Sequence, residues 1–238
     1  GDFRIERGAG GGLILRGGGR DTGAPVAPGK EADALVALAR WFVASGGAHV
    51  GRMARHDAAL PGWADGDVPP GPPAARIVPG AHDIGTACGA PFGCLHAETL
   101  ACLLQASSAR ALRITPWRVL VLEGVHAPLD SMAGLITDPA DPLLRVDACP
   151  GAPLCPQATV ETRDLARRIA SLVTGSLHVS GCAKGCARSA PADATLTGST
   201  GLFDLALNAV PGSPAVRSAV GTAELLAHFE RRPDAACL

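Results

Sequence analysis

Apolar residues recur along this chain with two periods, and the switches between them mark its elements. Over residues 31–44 (EADALVALARWFVA), Leu35, Leu38, Trp41 and Phe42 fall on one helical face. Similar spacing predicts helices over 97–107 through Leu100, Leu103 and Leu104, over 161–173 through Leu165, Ile169 and Leu172, and over 223–230. Short apolar runs at 13–16, 111–114, 119–122 and 177–179 predict strands, and 195–197 with 203–208 predict a hairpin around Gly201. Residues 129–135 predict one more short helix. Residues 81–136 thus read as a small unit of sheet and packed helices.

Between the first helix and that unit, residues 61–79 hold six prolines and three glycines. This composition suits a linker or surface loop, and it places a domain boundary there. One internal echo crosses the boundary. GGLILRGGGR followed by EADALVALARWF resembles GLFDLALNAV followed by AELLAHFERR, each reading strand, Gly/Pro-rich loop, helix. A duplicated architecture explains the echo, as does the general commonness of strand–loop–helix.

With 238 residues and 47% hydrophobic content, there is ample material for a core. No apolar run approaches the ~20 residues needed to span a bilayer, and no secretory signal is visible, so a cytoplasmic protein is expected with no membrane partner. The net charge of −1 argues against a nucleic-acid footprint. Aromatic residues make up 3% and Tyr is absent, which leaves little for a base-stacking platform. The chain opens Gly1-Asp2 without Met, and it is expected to be a fragment or a processed product.

The eight cysteines divide into two kinds. Cys88, Cys94, Cys102 and Cys237 share no tight pattern and read as buried small hydrophobes or incidental surface thiols. Cys149 and Cys155 in DACPGAPLC, and Cys182 and Cys186 in HVSGCAKGCA, form two close pairs hemmed by glycine and proline. Thiolates suit iron–sulfur clusters, zinc and copper(I), and a cubic [4Fe–4S] cluster needs four. Gly151, Gly181 and Gly185 let the backbone pass close to a bulky inorganic core and aim N–H groups at sulfur. Zinc is the first alternative, although structural zinc sites usually space thiols by two to four residues and C-x5-C is wider. Disulfides are disfavoured by a reducing compartment. Free buried thiols would not need the glycines. His178, alone before the second pair, reads as a hydrogen-bonded core residue rather than a ligand.

With both motifs in view, the chain resembles the siroheme-type nitrite and sulfite reductase superfamily, in which C-x5-C and C-x3-C hold a [4Fe–4S] cluster. Within it, GAPFGCLHAETL (89–100), LRITPWRVLVLEG (112–124) and HVSGCAKGCARSAPADATLTG resemble the precorrin-3B synthase branch. The resemblance covers residues 79–238 well and 1–58 loosely. It implies an α+β, nitrite/sulfite reductase-like fold, with a ferredoxin-like αβ unit followed by a [4Fe–4S]-binding αβ unit. The expected boundaries are 1–60 for the tail of a first half, 61–79 for the linker, 80–138 for the ferredoxin-like unit and 139–238 for the cluster unit. Most of the first half would be missing, and such a chain could hold a cluster without turning over.

The resemblance further implies Cys149, Cys155, Cys182 and Cys186 as cluster ligands, with Cys186 at the position that bridges to siroheme iron in the reductases. It implies an oxidoreductase of aerobic cobalamin biosynthesis that hydroxylates the tetrapyrrole precorrin-3A with O₂ and forms a lactone. An electron donor, and a separate N-terminal half, are the further expected partners, and a mononuclear non-haem iron is a second candidate cofactor. Siroheme belongs to the alternative, a nitrite or sulfite reductase. An inactive piece of a split enzyme, or a structural zinc module, is the other alternative. A polycarboxylate macrocycle calls for cations, and Arg suits bidentate carboxylate contacts. Arg113, Arg118, Lys184 and Arg188 are the candidates near the motifs, each with a solvated surface charge as the competing explanation. Lys184, between two ligands, is expected to face the open side of the cluster. The catalytic residues are not legible.

Overall fold

The computed structural model describes residues 1–73, 75–129 and 134–231. The short helix expected over 129–135 lies largely outside the described residues, as does Cys237. The chain divides into two compact units, Gly1–Ala75 and Arg76–Leu238. Among the described residues no helix is long and apolar enough to cross a membrane.

In the first unit, β1 (Phe3–Arg7), β2 (Leu13–Gly17) and β3 (Ala24–Val26) form an antiparallel sheet in sequence order. The helix α1 (Glu31–Ala44) covers it, with Leu38 fully buried against Leu15 and Ala64. Glu31 and Asp33 lie in its first turn, where the helix dipole favours negative charge. It stops where Gly46 turns left-handed, at φ 94°, a conformation that costs glycine little. A one-turn helix, α2 (Gly47–Val50), follows. The start of the proline-rich stretch stays with this unit: Gly8 bridges to Pro70 and Gly23 to Val68.

The second unit holds two sheets. In the first, β4 (Gly80–His82), β5 (Gly85–Gly89), β6 (Ala111–Ile114) and β7 (Val119–Glu123) are antiparallel in the order β4-β5-β7-β6. The helix α3 (Ala97–Ser107) packs on it through Leu103, against Cys88 and Leu122.

The second sheet is built from β8 (Val146–Ala148), β9 (Leu177–Ser180), β10 (Ala192–Ser199), β11 (Leu202–Ala209) and β12 (Arg217–Val220), in the order β12-β11-β10-β9-β8. The pairs β8–β9 and β9–β10 are parallel and the other two antiparallel. The helix α4 (Arg163–Ile169), continued by a 3-10 turn over Ala170–Leu172, connects β8 to β9. The last element is α5 (Thr222–Arg231). Strand residues alternate between faces. One face (Val146, Ala148, Leu177, Val179, Ala194, Leu196) forms the main core with Leu165 and Ile169 of α4 and Leu225 and Phe229 of α5. The other face carries a polar row in register, Asp147–His178–Thr195.

The two echoing segments contain the same order of elements: β2, β3 and α1 in one, β11, β12 and α5 in the other.

Candidate metal centre

The strands β8 and β9 run side by side in the same direction, so both end at one edge of the sheet. Cys149 follows the end of β8, and Gly181-Cys182 follows the end of β9. The two cysteine loops are therefore adjacent, and hydrogen bonds lace them together. The Cys149 N–H donates to the Val179 carbonyl (3.4 Å), and the Thr159 N–H donates to the Gly181 carbonyl (3.3 Å). Gly181 N–H donates to Cys149 Sγ (3.2 Å). Open α/β sheets commonly place ligands outside the carboxyl ends of parallel strands.

At the glycines of the two loops the backbone packs closely against neighbouring protein atoms. Gly151 has φ 67° and Gly185 φ 65°. A Cβ on Gly151 would lie 2.7 Å from Thr162 Oγ1, and one on Gly181 would lie 2.6 Å from Ala158 Cβ. Thr162 is fully buried and its hydroxyl donates to the Cys149 carbonyl (2.6 Å), fixing the first loop from α4's side. In the second loop, Ser180 Oγ donates to the Cys182 carbonyl (2.7 Å).

Cys149 is buried, Cys155 and Cys182 are half-buried, and Cys186 is exposed. Cys149 and Cys186 share the wall of a cavity of about 210 Å³ that is also lined by Phe92, Arg118, Asp147 and Arg163. Among the described residues, no three His, Cys, Asp or Glu side chains are grouped closely enough to hold one metal ion. A cube attaches each thiolate to a different iron, so its ligands stand wider apart than those of a single ion. The soft donor set and the N–H aimed at sulfur fit such a cluster.

Asp147 braces the surroundings. Its carboxylate pairs with Arg118 (3.3 Å) and with Arg188 (3.1 Å), and all three side chains are mostly buried. Arg118 also donates to the carbonyls of Val146 (2.6 Å) and Leu144 (3.2 Å), and it sits at φ 60° in the turn between β6 and β7. Arg188 donates to the carbonyls of Ala190 and Pro191 in its own loop. Asp147 thus connects the sheet that ends in cysteine, the second cysteine loop and the neighbouring sheet.

The other sequence candidates lie elsewhere. Arg113, on β6, pairs with Glu123 of β7 and does not line the cavity. Lys184 is exposed and does not line the cavity either. Cys88 is fully buried, and burial pushes its thiol up to about 11. Cys94 and Cys102 are exposed. His178 is fully buried, as a core residue should be, but neither ring nitrogen has a hydrogen-bond partner. Burial lowers its pKa; Asp147 opposes this and Arg188 adds to it.

Sequence reasoning missed Arg163, Thr162 and the bracing role of Asp147. Asp147 left a trace: a charge inside a three-residue strand whose other members are apolar must point to the opposite face. Arg163 left none, because the run ETRDLARR reads as an ordinary charged helix start.

No family model matches the chain. A curated precorrin-3B synthase from Sinorhizobium sp is 33% identical over 160 residues, which cover 58% of this chain and 35% of that protein. The match therefore spans about a third of the relative's length. The solved structure of the Mycobacterium tuberculosis NirA protein is similar in fold, with a TM-score of 0.50 and 18% identity, covering 96% of this chain and 55% of that one. The chain is thus similar in sequence to a precorrin-3B synthase, and its α+β fold is similar to that of the NirA protein.

Proposed function

We propose that this chain is the cluster-binding part of an iron–sulfur oxidoreductase of aerobic cobalamin biosynthesis, which hydroxylates precorrin-3A with O₂ to precorrin-3B with lactone formation. The observation that carries this reading is the sequence match to a precorrin-3B synthase. The side-by-side cysteine loops at the ends of β8 and β9 support it. In this reading residues 80–138 are the ferredoxin-like unit, 139–238 the cluster unit and 1–60 the tail of a first half. A separate N-terminal half and an electron donor complete the enzyme.

Cys149, Cys155, Cys182 and Cys186 hold the [4Fe–4S] cluster. When bound, that group supplies electrons one at a time, which closed-shell substrates need in order to react with O₂. The protein's contribution is placement and charge. Gly181 N–H donates to Cys149 Sγ and stabilises the thiolate form. The Asp147–Arg118–Arg188 brace fixes the second loop against the sheet, so that Cys186 stays on the cavity wall. Lys184, exposed between two ligands, adds a positive charge for a substrate carboxylate.

Anaerobic reconstitution with iron and sulfide tests this. Four irons and four sulfides per chain are expected, followed by O₂-dependent conversion of precorrin-3A once a first half and a reductant are added. Zinc without iron or sulfide in the purified protein would sink the reading. The likeness to NirA supports a second reading, a siroheme nitrite or sulfite reductase. A siroheme spectrum in the anaerobically purified protein would favour it.

A further inference from the structure

We propose that Phe92 shields the candidate metal centre: its ring closes part of the cavity wall beside Cys149 and Cys186, and it keeps water and dissolved O₂ from Cys149 and from the group these thiolates hold. The identity of that group rests on the proposed function; the shield itself does not.

Phe92 lies in a 3-10 turn over Pro91–Gly93 with φ 55° and ψ 17°, the left-handed region that a residue with a Cβ enters at a cost. Glycine would sit there freely, yet the chain places phenylalanine at this position. The surrounding backbone holds the conformation. Gly89 and Ile136 exchange two hydrogen bonds (2.7 and 2.9 Å), and the Ala90 N–H donates to the Arg118 carbonyl (2.8 Å). The Gly93 N–H donates to the Ala90 carbonyl (2.9 Å) and the Cys94 N–H to the Pro91 carbonyl (3.0 Å), which closes the turn. A strained residue so firmly held points to a task for its side chain.

The ring leaves its own sheet for the core of the neighbouring one. Phe92 comes from the segment between β5 and α3, yet it is only 8% exposed and belongs to the main core with Val146 and Ala148 of β8. Ala148 directly precedes Cys149. The same side chain lines the cavity of about 210 Å³ whose wall carries Cys149 and Cys186. The exposed Arg167 stands over the ring, with its guanidinium carbon 5.2 Å from the ring centre, within cation–π range. A cation on the ring face and an apolar core around the ring fix it in place. Truncating it would join its volume to the space that Cys149 borders. Solvent access is one of the levers on a cluster's potential, and it also governs attack by oxidants. An enzyme that handles O₂ beside an oxidisable cluster needs such a barrier.

The test uses the full chain in two states. In the iron-free protein, iodoacetamide labelling read by mass spectrometry should reach Cys149 several times faster in Phe92→Ala than in wild type. Phe92→Leu, which keeps an apolar side chain in the core and gives the answer where alanine costs too much stability, should fall between them. Cys186, already exposed, should label at the same rate in all three. Phe229→Leu, in the same core but away from the cavity, should lower the urea midpoint and leave Cys149 labelling unchanged. In the anaerobically reconstituted protein, the cluster should bleach faster in air and its midpoint potential should shift upward, most in Phe92→Ala and less in Phe92→Leu. The sign follows from charge: reduction adds an electron to a group that its thiolates already make negative, and water favours the more highly charged form. A Phe92 that only packs the core would cost stability and leave labelling, bleaching and potential where they were, which overturns the shield. Equal quickening of Cys149 in Phe229→Leu would assign the effect to loosened packing and overturn it too. Faster labelling with no change in bleaching or potential would overturn the shielding of the loaded centre. Faster Cys149 labelling in a chain that takes up zinc without iron or sulfide would keep the shield and remove the proposed function.

Discussion

Replacing Gly181 by alanine tests whether the two cysteine loops truly interlock. The added Cβ would lie 2.6 Å from Ala158 Cβ and 3.4 Å from Gly151 Cα. Ordinary contact begins near 3.4 Å, so the loops must part by about 1 Å, and overpacking of this kind costs about 1–3 kcal/mol. Ala158 Cβ cannot rotate away, because it is fixed to the backbone. The displacement also loosens the Gly181 N–H to Cys149 Sγ bond and the Thr159 N–H to Gly181 carbonyl bond. Urea denaturation of the iron-free chain reads the cost, and iron retention after reconstitution reads the effect on the centre. Both should drop in Gly181→Ala. The double variant with Ala158→Gly removes the clash and should recover most of the loss, giving a coupling of about 1 kcal/mol or more between the sites. A Gly181→Ala protein that unfolds at the wild-type urea midpoint, or a double variant no better than the single, would refute the interlocking described here.

Cys186→Ser should lose visible cluster absorbance and iron, whereas Cys88→Ser should keep both; equal losses would show the ligands misassigned. Because burial raises the Cys88 thiol to about 11, iodoacetamide at pH 8 should alkylate the exposed Cys94 and Cys102 and spare Cys88 in the native protein, which mass spectrometry of the labelled peptides would check. Lys184→Met should keep the cluster and bind precorrin-3A more weakly, with a shallower salt dependence; wild-type affinity would reduce Lys184 to a solvated loop residue. Hydrogen bonds from the Ser176 side chain and backbone hold the Asp193 carboxyl below its ordinary range. A depressed carboxyl stabilises the fold above its unfolded value of about 3.9 and stops doing so as pH falls through the lower folded value. The stability gap between wild type and Asp193→Asn, from urea melts, should therefore close below about pH 4.

Helices were the legible part of the fold. The ranges 31–44 and 97–107 match α1 and α3, because one apolar face repeats over three or more turns. Several strands were not legible. β5 reads GTACG, fully buried but built of small residues with no alternation to see, and β8 has three residues. Such strands exist because their neighbours complete the sheet, which no local window records. The helix expected over 161–173 is shorter, ending at Ile169 before a 3-10 turn. At the site, cysteine spacing and flanking glycines were visible in the chain. The Asp147 brace and Arg163 were not, since both depend on which face of a sheet or helix meets residues distant in sequence.

The parallel pairing of β8 with β9 has a consequence for the order of assembly. Parallel neighbours cannot be joined by a hairpin; they need a crossover, here supplied by α4 and its 3-10 extension. Cys149 and Cys182 come together only once that crossover has packed and the strands have aligned, a non-local and therefore slow event. If the cysteine loops hold the proposed cluster, its loading is expected late in folding, as a capture by a sheet already formed rather than a nucleus around which loops collapse. A group that binds the folded state alone then stabilises it by mass action and resists the reopening of the crossover.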